Sequence, residues 1–462
     1  MYLLAALMCV VCVEMFRLIF PVRQCAPPLS SRSLVEYLDQ FIVGQSEAKR
    51  SLAIAVVDRF RRMRVADPEL RRAIIPSNIL LLGPTGCGKT EVARRLAKRV
   101  DAPFVKVVAT KYSEVGFVGE DTSGMIEELA EQAFLDETKK MKFNIETESK
   151  RVAVDEVVRL LIKRDEQRRE CENLHALVAS GVLNNEEIEL DFILESAEQE
   201  EQQLVSQMVS RGRGGTRVPS RSRLLSSPPT TVGSAITLIT EKTCAVLSRN
   251  REAEVKERAK LAVEERGIVF IDEFDKMISD SSEESSSFNQ KRKGVEKELL
   301  TLIEGTSINT KKLGPINTDH IVFICAGAFS SVSPKAIMPE LQGRLPIRCT
   351  MNSLSEDDLV SILETIEYSL PRTQTELLAV DGVNLQFTHC GIRQLAKSAV
   401  HLNTQLVNTG ARRLTTVMGL VLEDIKFNAE ERTGETVLVD MQFVKDKINI
   451  ISQTDDLRKF VL

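Results

Sequence analysis

Short apolar runs that alternate with helical patterns dominate the first part of the chain. The run at 77–82 suits a buried parallel strand, and those at 104–108 and 267–271 share its character. Apolar positions with helical spacing lie on either side of the first run, at 47–64 and 91–100. This alternation predicts an α/β fold built on a parallel sheet.

The second and third strand-like runs are separated by about 150 residues, which is too long for one crossover connection. Most of this stretch has acidic or amphipathic helical sequence, as at 155–171 and 186–209. We therefore predict an inserted, mainly helical domain at 135–259. It divides a strand-containing domain into two parts, 34–134 and 260–350.

Strand signals fade after Arg348. Helical patterns follow at 355–370, 391–402 and 410–427. They predict a small helical C-terminal domain at 351–462.

Composition limits the function classes. The chain has 43% hydrophobic and 27% charged residues, as globular proteins do, and its net charge is -5. Without a basic excess, a nucleic-acid partner is not expected. The nine cysteines are scattered and are interpreted as reduced thiols. The segment at about 211–233 is rich in Arg, Ser, Gly and Pro, which predicts a disordered loop.

Residues 1–33 are interpreted as an N-terminal targeting or extension segment. Glu14 and Arg17 interrupt its apolar run, so no stable membrane insertion is expected. From Met15 onward the composition is typical of a mitochondrial presequence, which predicts a matrix protein. A membrane or secretory segment and an unprocessed extension of a cytoplasmic protein remain alternatives.

A glycine-rich loop at 83–90 carries the first candidate chemistry. Its sequence, Gly-Pro-Thr-Gly-Cys-Gly-Lys-Thr, fits the phosphate-loop pattern and lies between an apolar strand and a helix. The glycines let backbone N–H groups surround phosphates, and the helix N-terminus adds positive potential. Lys89 would reach the β and γ phosphates, and the Thr90 hydroxyl would coordinate Mg²⁺.

Two carboxylates end the third strand-like run. Asp272 is suited to hold Mg²⁺ through water, and Glu273 is suited to polarise an attacking water as a general base. Together with the glycine-rich loop, they predict hydrolysis of ATP with Mg²⁺. The four histidines, at 175, 320, 389 and 401, form no recognisable catalytic pattern, so no intrinsic peptidase activity is expected.

These motifs belong to a longer set that resembles the HslU (ClpY) family of AAA+ ATPases over about 34–462. The resemblance also rests on stretches at 42–45, 110–119, 318–329, 340–348, 410–414 and 456–462. It implies a homo-hexameric, ATP-dependent protein unfoldase and translocase. Such a ring delivers unfolded or tagged proteins to an HslV-type peptidase and activates that peptidase.

The resemblance also implies roles for individual residues. Lys89, Glu273 and Arg344 would be catalytic, with Arg344 acting as an arginine finger in the adjacent subunit's site. Asp272 and Thr90 would hold Mg²⁺. ATP binding is implied for Val43 near adenine and for Gly86, Cys87, Gly88, Lys89, Thr90, Glu91, Asp272, Glu340 and Arg412.

Two segments are implied to contact other proteins. Gly116, Phe117, Val118 and Gly119 resemble the family's substrate-gripping pore loop, with Phe117 in place of the usual tyrosine. Leu457, Phe460, Val461 and Leu462 lie in a C-terminal segment that resembles the family's peptidase-docking tail. On composition alone, this tail would pack onto the small domain.

Two other functions compete with this interpretation. A stand-alone remodelling chaperone of the ClpX type would use the same ATP site and pore loop. A DNA-acting AAA+ motor is disfavoured by the missing basic excess and by the glycine-flanked aromatic residue.

Overall fold

The computed structural model describes most of the chain, namely residues 30–113, 122–164, 174–188, 230–278, 287–405 and 408–453. It divides into two compact units, Met1–Ala133 with Lys260–Leu462, and Phe134–Ala259. The predicted α/β fold with a parallel sheet and additional helices is confirmed.

The strands of the described residues are, in chain order, β1 (Ile79–Leu82), β2 (Phe104–Val108), β3 (Glu187–Ile188), β4 (Thr230–Thr231), β5 (Ile268–Asp272), β6 (Ser307–Thr310), β7 (Gly314–Asn317), β8 (Val322–Gly327), β9 (Ile347–Thr350), β10 (Asn384–Phe387) and β11 (Thr436–Val439). Five of them form the main parallel sheet, in the order β2, β5, β8, β1, β9.

The α-helices of the same residues are α1 (Ser31–Asp39), α2 (Ser46–Met63), α3 (Pro68–Ala73), α4 (Lys89–Arg99), α5 (Thr110–Ser113), α6 (Gly124–Arg164), α7 (Leu174–Ala179), α8 (Val232–Asn250), α9 (Glu252–Arg266), α10 (Ser287–Glu304), α11 (Pro339–Arg344), α12 (Glu356–Glu364), α13 (Leu370–Val380), α14 (His389–Gln405), α15 (Arg412–Phe427) and α16 (Met441–Gln453). Within the described part of the chain, none of these helices is long and apolar enough to span a membrane.

The central strands of the main sheet are buried because helices cover them. Every residue of β8 is buried, and so are the first four residues of β5. On α4 the buried positions Val92 and Leu96 lie one turn apart and join Phe270 of β5 in one apolar cluster. Unbroken apolar runs in the sequence therefore correspond to strands with helices packed against them.

A buried arginine holds the amino ends of two central strands. The Arg59 guanidinium donates to the carbonyl oxygens of Gly267, just before β5, and of His320, before β8, at 3.1 and 2.7 Å. Burial lowers the pKa of Arg59 to about 9, so the group stays charged at neutral pH. The guanidinium group thus joins the backbone before β5 to the backbone before β8.

The second unit contains α6 from Phe134 to its C-terminal end, α7, α8, the first part of α9 and the two-stranded β3–β4 pair. Its apolar core joins Val157 of α6, Val178 of α7 and Ile239 of α8. The helix predicted at 186–209 is wrong at its start, because Glu187 and Ile188 form β3. The predicted disordered loop also extends too far, since Thr230 and Thr231 form β4 and α8 begins immediately afterwards.

The region after β9 contains strands that the sequence patterns did not predict. β10 and β11 form a parallel pair, with Leu385 opposite Val437. Each has only four residues, which is too short for a clear period-two signal. The helix predicted at 355–370 extends too far, because α12 ends at Glu364. The next, α13, begins with Pro371 in its first turn, where the missing N–H costs nothing.

Gly391 provides a stability test of this small sheet. A Cβ at Gly391, in the first turn of α14, would lie 2.3 Å from the Val439 carbonyl oxygen of β11. We expect Gly391→Ala to destabilise the protein by about 1–3 kcal/mol, the usual cost of overpacking. Urea unfolding followed by circular dichroism measures the change.

The matched control is Gly419→Ala in α15, where a Cβ would meet no atom within 4 Å. Its helical propensity should raise stability by about 0.5–1 kcal/mol. Equal effects of the two substitutions would show that the contact between α14 and β11 is wrong.

Candidate functional site

The glycine-rich loop connects β1 to α4. Gly86 and Gly88 have φ values of 76° and 100°, a region that side chains with a Cβ rarely adopt. Gly88 is the N-cap of α4, so the first N–H groups of that helix lack carbonyl partners within the helix. A helix N-terminus after a glycine loop is a favourable place for phosphate.

Lys89 closes this loop. Its side chain is buried, and Nζ donates to the carbonyl oxygens of Gly83 and Pro84 at 2.6 and 2.9 Å. Backbone carbonyl groups of the loop therefore hold the Lys89 ammonium group in place. A phosphate placed there would exchange these neutral acceptors for a charged one, which makes a stronger hydrogen bond.

Polar side chains from β5, α4 and β2 meet at Asp272, the last residue of β5. Its Oδ2 lies 3.4 Å from the hydroxyl oxygen of Thr90 on α4 and 2.8 Å from Nζ of Lys106 on β2. Hydroxyl and carboxylate oxygens are ligands that Mg²⁺ accepts, and the ammonium group already places a positive charge beside the carboxylate. The donor set therefore fits a divalent cation.

Glu273 has a strained backbone. It is not glycine, yet its φ is 55°, and its backbone N–H donates to Asp272 Oδ1 at 3.1 Å. Left-handed backbone at such a residue costs about 1–3 kcal/mol and is often found at functional sites. Its exposed carboxylate lines the same cavity as Asp272.

A cavity of about 280 Å³ contains these groups. Of the residues predicted from the sequence, it is lined by Gly86, Gly88, Lys89, Thr90, Glu91, Asp272, Glu273 and Arg412. Lys106 and Arg94 also line it, and neither was predicted. Lysine and arginine side chains beside three carboxylates suit a polyphosphate bound with a divalent cation.

A second cavity, of about 210 Å³, shares Thr85 with the first. Cys87, Leu354 and Leu359 give it apolar walls, and Asn403 and Thr404 add polar groups. Burial raises the pKa of the Cys87 thiol, which keeps it neutral. An apolar cavity with a few polar groups is suited to a flat heterocycle next to phosphates.

The loop before α15 touches the glycine-rich loop and places Arg412 at the first cavity. Ala411 N donates to the Gly86 carbonyl oxygen at 3.1 Å, and a Cβ on Gly86 would lie 1.9 Å from the Thr409 oxygen. A Cβ on Gly410 would meet Gly86 at 2.7 Å. The two loops lie so close together that positions 86 and 410 both require glycine.

Other predicted site residues lie elsewhere. Val43 is half-buried just before Gln45, whose side-chain amide exchanges two hydrogen bonds with the backbone of Asn352. Glu340 and Arg344 lie exposed on α11 and do not line the first cavity. The predicted pore loop and tail lie outside the described residues: Gly116, Phe117, Val118, Gly119, Leu457, Phe460, Val461 and Leu462.

Two family models match the chain. One is described as the ATPase family associated with various cellular activities (AAA) and matches residues 79–188. The other is described as an AAA domain (Cdc48 subfamily) and matches residues 229–348. The glycine-rich loop lies in the first match, and Asp272 and Glu273 lie in the second.

Curated relatives match nearly the whole chain. The ATP-dependent protease ATPase subunit HslU of Jannaschia sp. (strain CCS1) is 39% identical over 449 residues, which cover 94% of this chain and 99% of that protein. The proteins of the same name from Rhodospirillum centenum (strain ATCC 51521 / SW) and Cereibacter sphaeroides (strain KD131 / KCTC 12085) are 39% and 38% identical, with the same coverage.

These relatives correct the predicted localisation. They are bacterial proteins, so the prediction of a mitochondrial matrix protein with a presequence from Met15 is wrong. Residues 1–29, which contain that stretch, lie outside the described residues.

Lys106 provides a test of the first cavity. Lys106→Met removes a cation that contacts Asp272 and lines the cavity, so we expect ATP affinity to fall about tenfold, a modest value because the side chain is partly exposed. Titration with a fluorescent ATP analogue measures the affinity.

Lys98→Met, on the exposed last turn of α4, is the matched control and should leave affinity unchanged. A normal ATP affinity of the Lys106 variant would show that the bound phosphates do not lie near β2.

Proposed function

Because the chain belongs to the HslU family of AAA ATPases, we propose that it forms a hexameric ring that unfolds proteins and delivers them to an HslV-type peptidase. The predicted ATPase activity is confirmed by this membership. Unfolding, translocation and activation of the peptidase are the proposed use of that hydrolysis.

In the proposed site, the glycine-rich loop holds the phosphates. Backbone N–H groups at the start of α4 and the Lys89 ammonium group bind the phosphate oxygens. Thr90 and Asp272 would hold Mg²⁺, which would offset the negative charge of the phosphates. Lys106, which contacts Asp272 and lines the cavity, would add a further positive charge beside the phosphates.

Glu273 is the proposed general base. Its carboxylate is exposed to the cavity, while Asp272, its neighbour in the chain, is engaged by Thr90 and Lys106. One carboxylate is thus free to accept a proton from water while the other holds the cation. The left-handed turn at Glu273 separates the two side chains although they are adjacent in sequence.

The adenine ring is proposed to enter the second cavity, against Cys87, Leu354 and Leu359. Leu359 belongs to α12, so the base would contact the helical region after β9 as well as the sheet-containing region. Val43 remains a proposed adenine contact, supported by its place before Gln45, which bonds to Asn352 next to that region.

The position of Arg344 carries the proposal that the ring completes the site. Arg344 precedes β9, whose first residue, Ile347, pairs with Ile79 at the start of β1. The phosphate loop begins at Gly83, beyond the other end of β1. The strand alone separates them by about 13 Å, four residues at about 3.3 Å each. Arg344 is therefore poorly placed for its own phosphates and suited to a neighbour's.

Substrate handling is proposed on the family resemblance. An aromatic side chain between glycines, as at Phe117, can grip any polypeptide through apolar contact. Glu340 is proposed as a further nucleotide-site residue; like Arg344, it lies on exposed α11. The tail residues Leu457, Phe460, Val461 and Leu462 are proposed to bury apolar surface against the peptidase.

The shared site can be tested by mixing subunits. Arg344→Ala should keep ATP binding and lower kcat about 10³-fold, the effect typical of an arginine finger. Lys89→Ala should not bind ATP. In a one-to-one mixture, about a quarter of the sites should regain hydrolysis. At these sites the Arg344 variant binds ATP through its intact Lys89, and the neighbouring Lys89 variant provides an intact Arg344. Steady-state phosphate release measures the rate.

A mixture no more active than the sum of its separate components would contradict a site shared between subunits. The control is a mixture of each variant with itself at the same total concentration.

The peptidase partnership can be tested by deleting 460–462. The truncated chain should hydrolyse ATP at the normal rate but fail to stimulate cleavage of a fluorogenic peptide by an HslV-type peptidase. A chain lacking part of 211–223 is a control for shortening and should stimulate normally. Full stimulation by the truncated chain would show that the tail does not activate the peptidase. If the intact chain also fails to stimulate the peptidase, a stand-alone chaperone is favoured.

A further inference from the structure

Asn78 is a buried polar residue immediately before β1, at the edge of the sheet opposite the phosphate loop. Only 5% of its surface is exposed. Its Oδ1 accepts a hydrogen bond from the backbone N–H of Phe323 in β8 at 2.9 Å. Its Nδ2 donates to the carbonyl oxygen of Arg344 at 3.3 Å. The side chain thus joins a central strand to the residue proposed as the arginine finger.

The backbone of Asn78 holds the same segment a second time. Its carbonyl oxygen accepts from Ile347 N, the first residue of β9, at 3.4 Å. The four residues 344–347 are therefore attached at both ends to one residue of the neighbouring strand. Leu345 within them is fully buried, so the segment is also fixed by packing.

Only an amide provides both side-chain bonds at this place. Phe323 presents a donor and Arg344 an acceptor, so the side chain between them must accept at one atom and donate at another. Alanine would leave a buried N–H and a carbonyl without partners, and serine is too short to reach both. A buried group that bridges two elements in this way orders both of them.

The guanidinium group of Arg344 is held less firmly than its backbone. Nη2 lies 3.2 Å from Glu304 Oε1, but about 43–45% of each side chain is exposed, and such pairs contribute little. The position of the guanidinium group therefore depends on where the backbone of Arg344 is held. Where α11 ends at Arg344, the carbonyl group of that backbone is held by Asn78.

We propose that Asn78 is a positioning residue for ATP hydrolysis, which fixes the backbone of Arg344 so that its guanidinium group reaches the neighbouring subunit's phosphate. This inference rests on the proposed role of Arg344 as a finger in trans. A misplacement of about 1 Å at a catalytic group can cost up to about 100-fold in rate. Asn78 itself touches no nucleotide.

A purely structural role makes a different prediction. Asn78 leads directly into β1 and from there to Gly83, so a loosened β1 would disturb the chain's own phosphate loop. In that case, hydrolysis would be lost at sites where the ATP-binding subunit carries the Asn78 substitution. In the proposed case, hydrolysis is lost at sites where the subunit that donates Arg344 carries it.

The test is a double-mutant cycle on assembled rings. Asn78→Ala should lower kcat about 10- to 100-fold and leave the KM for ATP unchanged. Arg344→Ala should lower kcat about 10³-fold, and the double variant should match it within about twofold, because a missing guanidinium group cannot be misplaced. If the two effects multiply instead, the positioning role is overturned.

Mixed rings provide the second readout. Asn78→Ala subunits mixed with Lys89→Ala subunits should regain activity, because the Lys89 variant still donates a well-placed finger. No regain would assign the defect to the subunit's own phosphate loop and overturn the inference. Asn78→Ser, which can keep one of the two bonds, replaces Asn78→Ala if the latter does not assemble.

Thr318→Val is the matched control. The Thr318 hydroxyl, also buried and also just before β8, donates to Leu302 O and accepts from Thr306 N at 2.8 and 2.9 Å. Its loss should lower the unfolding temperature comparably without a drop in kcat. An equal drop in kcat would show that lost stability alone explains the Asn78 effect.

The two proposals fail in distinguishable ways. If Arg344→Ala keeps the normal kcat, the finger itself is wrong and the positioning role falls with it. If Arg344→Ala loses kcat while Asn78→Ala keeps it, the finger stands and only the positioning role is overturned.

Discussion

The parallel register of β1, β5 and β8 is the constraint on which the site depends. Leu82 pairs with Gly327 and Ile271 with Cys325, so the strands end together at one edge of the sheet. The phosphate loop follows β1 directly, and the two carboxylates lie at the end of β5 and just after it. The Gly83 N–H bonds to the Gly327 carbonyl oxygen at 3.2 Å. A register shift in any one strand would separate Thr90 from Asp272. The same parallel order places Arg344 at the opposite edge, which supports the proposal that Arg344 acts on a neighbouring subunit's phosphates.

Buried hydrogen-bonding groups hold that opposite edge. Arg59 binds the carbonyls before β5 and β8, and Asn78 binds β8 and the segment before β9. Neither group contacts the phosphate loop, yet both fix the strands that lead toward it. Asn78 also holds the backbone carbonyl of Arg344, which is the physical basis for assigning it a role in hydrolysis at the neighbouring subunit's site.

The sequence predicts the local parts of this arrangement and misses the long-range ones. The strands β1, β2 and β5 were predicted because short apolar runs are their local signature, and the phosphate loop because its spacing is specific. Lys106 was missed, although a lysine within the run 104–108 is a visible signal. The roles of Asn78 and of the contact between Gly86 and Ala411 depend on residues hundreds of positions away, and no local pattern records them. The short strands β10 and β11 were missed for the same reason, since their pairing is what makes them strands.

In the proposed mechanism, hydrolysis requires contact between copies of the chain. The most direct measurement is the ATPase rate per subunit over a dilution series, with the assembly state followed by mass photometry on the same samples. If sites are completed between subunits, this rate falls steeply as rings dissociate and is near zero where only monomers remain. A rate per subunit that stays constant into the monomeric range would contradict it.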